Sequence, residues 1–575
     1  PVHTNAGMYV AAIADGKDEL AYLTARLPNP FASVCGRICA APCEDACRRG
    51  EIDRPIAIRA LKRFVTEQHG PESNNGETWK KVTAPPEVER SESIGIIGGG
   101  PSGLSAAHDL RRLGYQVTVY EATGQLGGMM LLGIPEYRLD RTLLANEIKV
   151  IVDLGVEVHL NTKLGDDITL DAMREKHDAV FIAIGATLGR GLDIEGHESD
   201  GVLRAIEFLI NANQGFQVEV GERVVVIGGG DVAMDAARTA LRADEYEEKA
   251  LANYEEAEER ASMTEAMDVA RTAARSGAKQ ITVMTLESAE ELPASEFEVE
   301  EALNEGIKFV NRRGPARIVA ENGKVTGLET IKVLSVFDED GRFSPTFDQD
   351  DRQIIEADTV ILAIGQAIDV EALGTDGPQI SPRRTIQIDQ DNLATSLPNV
   401  WAGGDAARGP RTLIEAIADG RKAAAEIHQS FGGMVEERQS GTMVQLQQFH
   451  RLDDIYDRIG RVDVPTLATD RRIGLAEVET GFTIDQARCE AKRCLRCFAN
   501  ILLDTSKCVL CALCADVCPL DLISLVPSEE VVPGQAGGTA LTLDETSCIR
   551  CALCIERCPT DALSMGLWTG VGVPV

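Results

Sequence analysis

Two stretches near the end of the chain have the residue types and spacing to hold redox metal. They read Cys508-Val-Leu-Cys511-Ala-Leu-Cys514-Ala-Asp-Val-Cys518-Pro519 and Cys548-Ile-Arg-Cys551-Ala-Leu-Cys554-Ile-Glu-Arg-Cys558-Pro559. A doubled C-x2-C-x2-C-x3-C-P run is the ligand spacing of a bacterial-type ferredoxin with two 4Fe–4S clusters. Three thiolates of one turn hold three irons of a cube, and the fourth Cys of each run reaches across to the other cube. One cluster is thus expected on Cys508, Cys511, Cys514 and Cys558, the other on Cys548, Cys551, Cys554 and Cys518. Zinc ribbons and disulfides are the competing readings, and neither needs the third Cys or the Pro twice over.

A second group lies near the start, in Asn29-Pro-Phe-Ala-Ser-Val-Cys35-Gly-Arg-Ile-Cys39-Ala-Ala-Pro42-Cys43-Glu-Asp-Ala-Cys47. Four cysteines at steps of four would line one helix face. Pro42 interrupts that helix, so a turn that converges the thiols is expected. A 4Fe–4S site is the favoured reading, with zinc or buried small residues as alternatives. The stretch Cys489-Glu-Ala-Lys-Arg-Cys494-Leu-Arg-Cys497 leads directly into the first ferredoxin run.

The elements that must position these thiols fill the rest of a 575-residue chain, long enough for three to five domains. There are 57 Lys and Arg against 91 Asp and Glu, a net charge of −34. That balance argues against nucleic acid and against an anionic membrane surface. No apolar run is long enough to span a membrane and no signal peptide is apparent. Cysteine-ligated clusters point to a reducing compartment, here read as the cytoplasm. The eight His are scattered and suggest no metal site.

Two glycine loops sit in the context that makes them specific. Ile94-Gly-Ile-Ile-Gly98-Gly-Gly100-Pro-Ser102-Gly103 runs from an apolar strand into a helix, and a second strand, Gln116–Tyr120, ends in Glu121. Such glycines let the backbone approach a pyrophosphate at a helix N-terminus, and the acid binds ribose hydroxyls. Arg223-Val-Val-Val-Ile-Gly228-Gly-Gly230-Asp231-Val232-Ala233 repeats the pattern in its G-x-G-x-x-A form, with Gln280–Glu287 as its second strand. Residues 178–185 and 358–365 both end in Ala-Ile-Gly and read as matching late strands. Glu287 favours NADH over NADPH, because an acid there repels a 2′-phosphate and the stretch 285–291 holds no Arg. Gly403-Gly404-Asp405 enters one further helix.

The fold class expected is α/β, with two Rossmann-like dinucleotide-binding domains preceded by a helical Fe–S domain and followed by a bacterial-type ferredoxin (α+β) domain. The boundaries read as 1–88 for the helical domain, 89–215 and 370–432 for the first nucleotide domain, 216–369 for the second, 433–500 for a linker and 501–575 for the ferredoxin. An acidic helical insertion is expected at 243–267; residues 244–265 hold nine acids against two bases.

Asn29-Pro30-Phe31, Val34-Cys35-Gly36-Arg37, the first glycine loop, Gly127-Gly128-Met129, Ile134-Pro135, Arg138-Leu139, Pro293-Ala294-Ser295 and Ala402-Gly403-Gly404-Asp405 resemble the glutamate synthase small-subunit family. The same module resembles the N-terminal half of dihydropyrimidine dehydrogenase and the large subunit of NADH-dependent ferredoxin:NADP oxidoreductase. The resemblance covers about residues 1 to 430. It implies FAD in the first fold, held by Gly98, Gly100, Ser102, Gly103, Glu121, Gly127, Gly128, Met129, Arg138, Gly404, Asp405 and Thr412. It implies a nicotinamide nucleotide in the second, held by Gly228, Gly230, Asp231, Val232, Ala233, Glu287 and Gly365, and 4Fe–4S clusters near the N-terminus. Members open on a C-x2-C-x4-C-x3-C-P run. Here Pro1-Val2 resembles the residues just past the last Cys of that run, which suggests residues upstream, and Cys494-Leu-Arg-Cys497 resembles its beginning. Cys494 and Cys497 are therefore expected to fold back onto N-terminal thiols such as Cys39, Cys43 or Cys47.

A nicotinamide gives up a hydride and a cluster takes one electron, so a flavin between them is the natural converter. The expectation is an NADH-linked (or NADPH-linked) flavo-iron–sulfur subunit that serves a ferredoxin or a partner catalytic subunit, in a hetero-oligomer. The alternative is a relay and assembly subunit with an idle nicotinamide site. No C-x4-C pair accompanies the first glycine loop, which argues against a disulfide reductase.

Overall fold

The computed structural model describes residues 1–73, 77–83, 86, 88–214, 216, 219–242, 278–434, 442–446, 458–472, 475–535 and 537–569. The acidic insertion expected at 243–267 lies outside the described residues. The chain divides into two units. One holds Ala84–Ile427 and Thr466–Glu479, with Pro1; the other holds Val2–Thr83, His428–Pro465 and Thr480–Val575.

The first unit is built on two five-stranded parallel sheets. Strand Ser93–Ile97 is apolar on both faces, as a strand with helices above and below it must be. Its sheet runs Val400–Ala402, Ala179–Ile182, Ser93–Ile97, Gln116–Tyr120, Glu157–His159. The second runs Val202–Arg204, Thr359–Leu362, Arg223–Ile227, Gln280–Met284, Lys308–Val310. The two Ala-Ile-Gly strands hold equivalent places, each parallel to its glycine-loop strand. A short antiparallel pair, Leu188–Gly189 with Gln366–Ala367, ties the crossings between the folds.

An antiparallel meander, Arg313–Glu321, Lys324–Phe337 and Phe343–Glu356, interrupts the second fold. The sequence pattern does not announce it, because its last strand shows no apolar–polar alternation and is mostly exposed.

In the second unit, helices Ala6–Ala14, Asp18–Arg26, Ala32–Ile38 and Ile58–His69 close around Tyr9, Ile13, Tyr22, Leu61 and Phe64. A fifth helix, Ile484–Lys492, adds Ala487 and Ala491 to that core. The region read as a linker, 433–500, therefore contributes a packed helix, capped reciprocally by Thr483 and Gln486. It also contributes strand Thr442–Gln445, which joins Leu563–Thr569 and Ala499–Leu503 in a three-stranded antiparallel sheet. The hairpin Ile523–Pro527 with Thr539–Leu543 completes the ferredoxin part.

Candidate functional site: two glycine loops and three thiol groups

In the first fold, a cavity of about 300 Å³ opens over the glycine loop. Gly98, Gly100, Ser102, Glu121, Gly128, Met129, Gly404 and Asp405 line it, as do Thr162, Lys163 and Gln214. The loop needs glycine at its turn: Gly98 has φ +109°, and a Cβ there would stand 2.3 Å from the Ala183 carbonyl oxygen. Gly228 repeats this in the second fold, with φ +140° and the same 2.3 Å to Ala363.

Glu121 accepts hydrogen bonds from the Gly99 N–H (2.8 Å) and the Thr123 N–H (2.8 Å), which fixes its carboxylate at the cavity wall. The buried Ser102 hydroxyl has no hydrogen-bond partner among the described residues, a cost that a polar ligand group would relieve. Burial pushes the Asp405 carboxyl up to about 6. An orphaned hydroxyl, a braced acid and a glycine-floored cleft fit a dinucleotide.

Asp419 belongs to no sequence motif yet sits beside the site. It accepts the Gly404 N–H at 3.0 Å and a bond from Arg408 at 2.8 Å, so it holds the Gly-Gly-Asp turn in place. The only local signal is an acid in the second turn of the helix Leu413–Ser430.

Four residues expected to touch FAD do not line this cavity. Gly127 donates its N–H to the Gly99 carbonyl at 2.8 Å and so braces the loop. Gly103 packs on the Gly98 carbonyl. The Thr412 hydroxyl donates to Glu415 at 2.6 Å. Arg138 lies elsewhere: its guanidinium pairs with Asp235 (2.7 Å) and Glu298 (2.7 Å) on helices of the second fold. Buried carboxylates hold it in preference to a ligand, because an unpaired buried charge is costly. Around it, Arg238, Arg242 and Arg472 pair with Glu298, Glu301 and Glu305, and the Tyr137 ring lies under Arg238 and Arg242.

In the second fold, Glu287 stands as Glu121 does in the first. A Cβ on Gly229 would lie 3.2 Å from a Glu287 oxygen, and one on Gly99 would lie 3.1 Å from a Glu121 oxygen. Asp231 accepts the Ser295 N–H at 2.9 Å and so ties Pro293–Ser295 to the glycine loop. Gly365, three residues past the matching late strand, has φ +111°. The absence of Arg from 285–291 does not hold in space. The Arg312 N–H donates to the Glu287 carbonyl at 3.1 Å, and its side chain pairs with Glu291 at 2.7 Å.

In the second unit the thiols fall into three groups. Cys35, Cys39 and Cys43 gather beside the buried Lys62, with Ala41 at φ +52° and the helix starting at Pro42 making the converging turn. A hydrogen bond from Cys35 brings the Cys39 thiol down to about 6, with Lys62 acting in the same direction. Cys47 lies instead with Cys494 and Cys497. Of the three N-terminal partners expected for that pair, it is Cys47 that meets both.

Glu490 and Arg493 anchor this meeting. Glu490 is fully buried and accepts the Ala57 N–H (2.9 Å), the Val462 N–H (2.8 Å) and a bond from Arg493 (2.7 Å). Arg493 reaches Asp53 at 2.9 Å. Cys489, by contrast, is exposed.

The third group is the ferredoxin set. Cys554 is surrounded by Cys551, Cys548, Cys514 and Cys518, and burial pushes its thiol up to about 12. Cys514 lies with Cys511 and Cys508. Backbone N–H groups aim at the sulfurs: Leu522 at Cys518 and Ala562 at Cys558 (both 3.3 Å), Ala41 at Cys39 and Arg496 at Cys494 (both 3.4 Å). Such donors favour thiolates, and the donor set fits iron–sulfur clusters. Among the described residues, no three His, Cys, Asp or Glu side chains stand close enough to share one ion. The four ligands of a cube are spread more widely than those of a tetrahedral zinc.

Among the described residues no helix is long and apolar enough to cross a membrane. Residues 92–420 match the family Pyridine nucleotide-disulphide oxidoreductase. Residues 1–73 match dihydropyrimidine dehydrogenase domain II, 4Fe-4S cluster, and residues 507–562 match the 4Fe-4S dicluster domain. The chain is 35% identical over 530 residues to the NADP(+)-dependent formate dehydrogenase subunit beta of Moorella thermoacetica, covering 87% of this chain and 69% of that one. It is 29% identical to the glutamate synthase [NADPH] small chain of Azospirillum brasilense (74% and 84% covered). It is 30% identical to the NAD-dependent dihydropyrimidine dehydrogenase subunit PreT of Escherichia coli (75% and 90% covered). Mycobacterium tuberculosis FprA in complex with NADPH shares the fold, with TM-score 0.50, 18% identity, and 60% of this chain and 85% of that one covered. Matched glycine turns, matched acids and the three family regions together place the chain in the pyridine nucleotide-disulphide oxidoreductase family, alongside the glutamate synthase small chains, with a 4Fe-4S dicluster domain fused to it.

Proposed function

We propose that this chain is the electron-transfer subunit of a larger redox complex, moving electrons between a nicotinamide nucleotide and 4Fe–4S clusters by way of FAD. One observation carries the reading: a single chain holds two matched glycine-loop folds, which suit two-electron chemistry, and three thiol groups, which suit one-electron chemistry. The similar proteins are named as subunits or small chains, which supports a hetero-oligomer that delivers electrons to a ferredoxin or a catalytic partner. Free thiolate ligands suit a reducing cytoplasm.

Gly98, Gly100, Ser102, Glu121, Gly128, Met129, Gly404 and Asp405 would hold FAD. Gly228, Gly230, Asp231, Val232, Ala233, Glu287 and Gly365 would hold the nicotinamide nucleotide. When bound, a flavin exchanges a hydride on one side and single electrons on the other. The chain's own part is positioning: Glu121 holds ribose hydroxyls, Ser102 supplies a hydroxyl at the cleft floor, and Asp419 keeps the Gly404 turn in register. Cys508, Cys511, Cys514 and Cys558 would hold one cluster, and Cys548, Cys551, Cys554 and Cys518 another. Cys47, Cys494 and Cys497 would serve a third centre, and Cys35, Cys39 and Cys43 remain beside it.

NADH is the preferred nucleotide, on the strength of Glu287. The NADPH reading rests on Arg312, whose side chain pairs with Glu291 next to the same strand end. The test is anaerobic mixing of the cofactor-loaded chain with NADH or NADPH, following flavin bleaching and cluster signals by electron paramagnetic resonance. Bleaching by NADH followed by cluster signals supports the proposal. No bleaching by either nucleotide would leave only a relay and assembly role.

A further inference from the structure

The two ferredoxin loops are internal copies, and the structure keeps the match at the backbone. Leu510 and Arg550 both adopt a left-handed conformation (φ 55° and 57°), as do Ala512 and Ala552 (64° and 67°). Each loop leads into a short helix, Leu513–Asp516 or Leu553–Arg557. The Leu522 N–H reaches the Cys518 sulfur and the Ala562 N–H reaches the Cys558 sulfur at the same 3.3 Å. Two equivalent faces are therefore presented.

Among the described residues the two faces differ in cover at three matched positions, although Leu553 of the second loop is itself exposed. In the second loop Ile549 is 5%, Arg550 2% and Ala552 1% exposed. Arg550 donates to the Ala499 carbonyl at 2.6 Å, and Arg48 donates to the Cys548 carbonyl at 3.2 Å. Ala552 packs on Ala499, and Cys497 neighbours Cys548. The two stretches that cover this loop, Cys47–Arg48 and Cys494–Ala499, thus carry the Cys47, Cys494 and Cys497 group. At the matching positions of the first loop, Val509 is 63% and Leu510 40% exposed, and Cys511 is exposed as well.

We infer that the Cys508–Cys511 loop is the docking face for an external one-electron protein, which sits on it as the Cys494–Ala499 segment sits on its copy. This rests on the proposed electron-transfer role. It orders the thiol groups: Cys47, Cys494 and Cys497 first, then the Cys548 group, then the Cys508 group, then the partner. The partner's face is apolar at its centre and basic at its rim. Residues 501–569 hold nine Asp and Glu against three Lys and Arg, and one of those three, Arg550, is buried. An acidic domain with an exposed apolar loop steers and seats a basic partner. The balance is simple: each nicotinamide oxidised releases two electrons and one proton, and the partner's centre is reduced by one electron per visit, so two visits clear one turnover.

The experiment uses the full chain with its clusters, reduced by dithionite, and cytochrome c as the basic one-electron probe. Hydrogen exchange on adding the probe should protect amides 508–513 and leave 548–553 unchanged. The double variant Val509→Lys with Leu510→Arg should weaken probe binding about tenfold and slow cluster reoxidation by a similar factor. Cluster resonance signals should persist in it, since Arg already occupies the equivalent of position 510. If the double variant loses iron, Val509→Lys alone and the wild-type exchange footprint decide. Absence of protection at 508–513, or unchanged binding in an iron-replete variant, overturns the inference. Failure of NAD(P)H to reduce the clusters counts against the proposed function instead, because the binding arm does not use that route.

Discussion

Glu490 accepts the backbone N–H of Ala57 at 2.9 Å, across 433 residues of chain. This buried carboxylate holds the Cys494–Cys497 turn against the helical domain, because it also takes a bond from Arg493. Removing one partner of a buried ion pair strands the other. Glu490→Ala is expected to cost roughly 3–5 kcal/mol of stability in the second unit. Denaturant unfolding measures that loss, and iron analysis should show about one cluster fewer with FAD retained.

The thiol grouping makes a sharper prediction. Cys47→Ser and Cys494→Ser should each remove the same cluster signal, because the two thiols lie together. Cys489→Ser should change nothing, since Cys489 is exposed and apart from the groups. Iron content and resonance spectra of the three variants check this. Equal iron in all three would sink the assignment.

The buried ionic network of the first unit sets a pH limit. Burial alone would raise the Glu305 carboxyl, but hydrogen bonds from Arg242 and Arg238 outweigh it and hold the group at about 2. A carboxyl lowered on folding adds stability that is fully present above its ordinary value near 4.5. That stability is lost as pH falls toward 2. At about 1.4 kcal/mol per tenfold in proton affinity, the contribution is roughly 3 kcal/mol. Thermal unfolding of the wild type should weaken between pH 4.5 and 2.5, and Glu305→Gln should be less stable at neutral pH and flatter over that window.

Nucleotide choice should turn on Glu287 and Arg312. Glu287→Ser removes the charge that repels a 2′-phosphate, and is expected to raise kcat/KM for NADPH relative to NADH by about tenfold. Arg312→Ala should leave NADH use unchanged. Steady-state kinetics with both nucleotides reads both effects. A lower NADPH/NADH ratio in Glu287→Ser would show that the acid does not set the preference.

Much of this protein was legible from its sequence because its chemistry is written locally. The cysteine runs, both glycine loops and the acids Glu121 and Glu287 are set by spacing within 30 residues or by the strand–loop–helix context around them, apart from Glu287, which comes after the insertion. A G-x-G turn needs glycine for reasons of backbone geometry alone, and Gly98 and Gly228 show the same close carbonyl in both folds. The early turn at Pro42 was legible too, because proline cannot continue a helix.

What tertiary structure decided is which of these local pieces meet. Arg138 carried a motif that suggested a ligand, but buried Asp235 and Glu298 lie within 2.7 Å and take its charge. Arg312 reaches the Glu287 strand end from the bend just past the neighbouring strand Lys308–Val310, where no window around 287 could reveal it. Cys47 rather than Cys39 or Cys43 joins Cys494 and Cys497, because Glu490 and Arg493 fix that turn against Ala57 and Asp53. The two ferredoxin loops are nearly the same in sequence, yet Ile549 and Arg550 are buried while their counterparts Val509 and Leu510 are exposed. Composition determined what each cysteine could bind; only the packing of distant segments decided which loop was left open, since burial is a property of neighbours and not of the residues themselves.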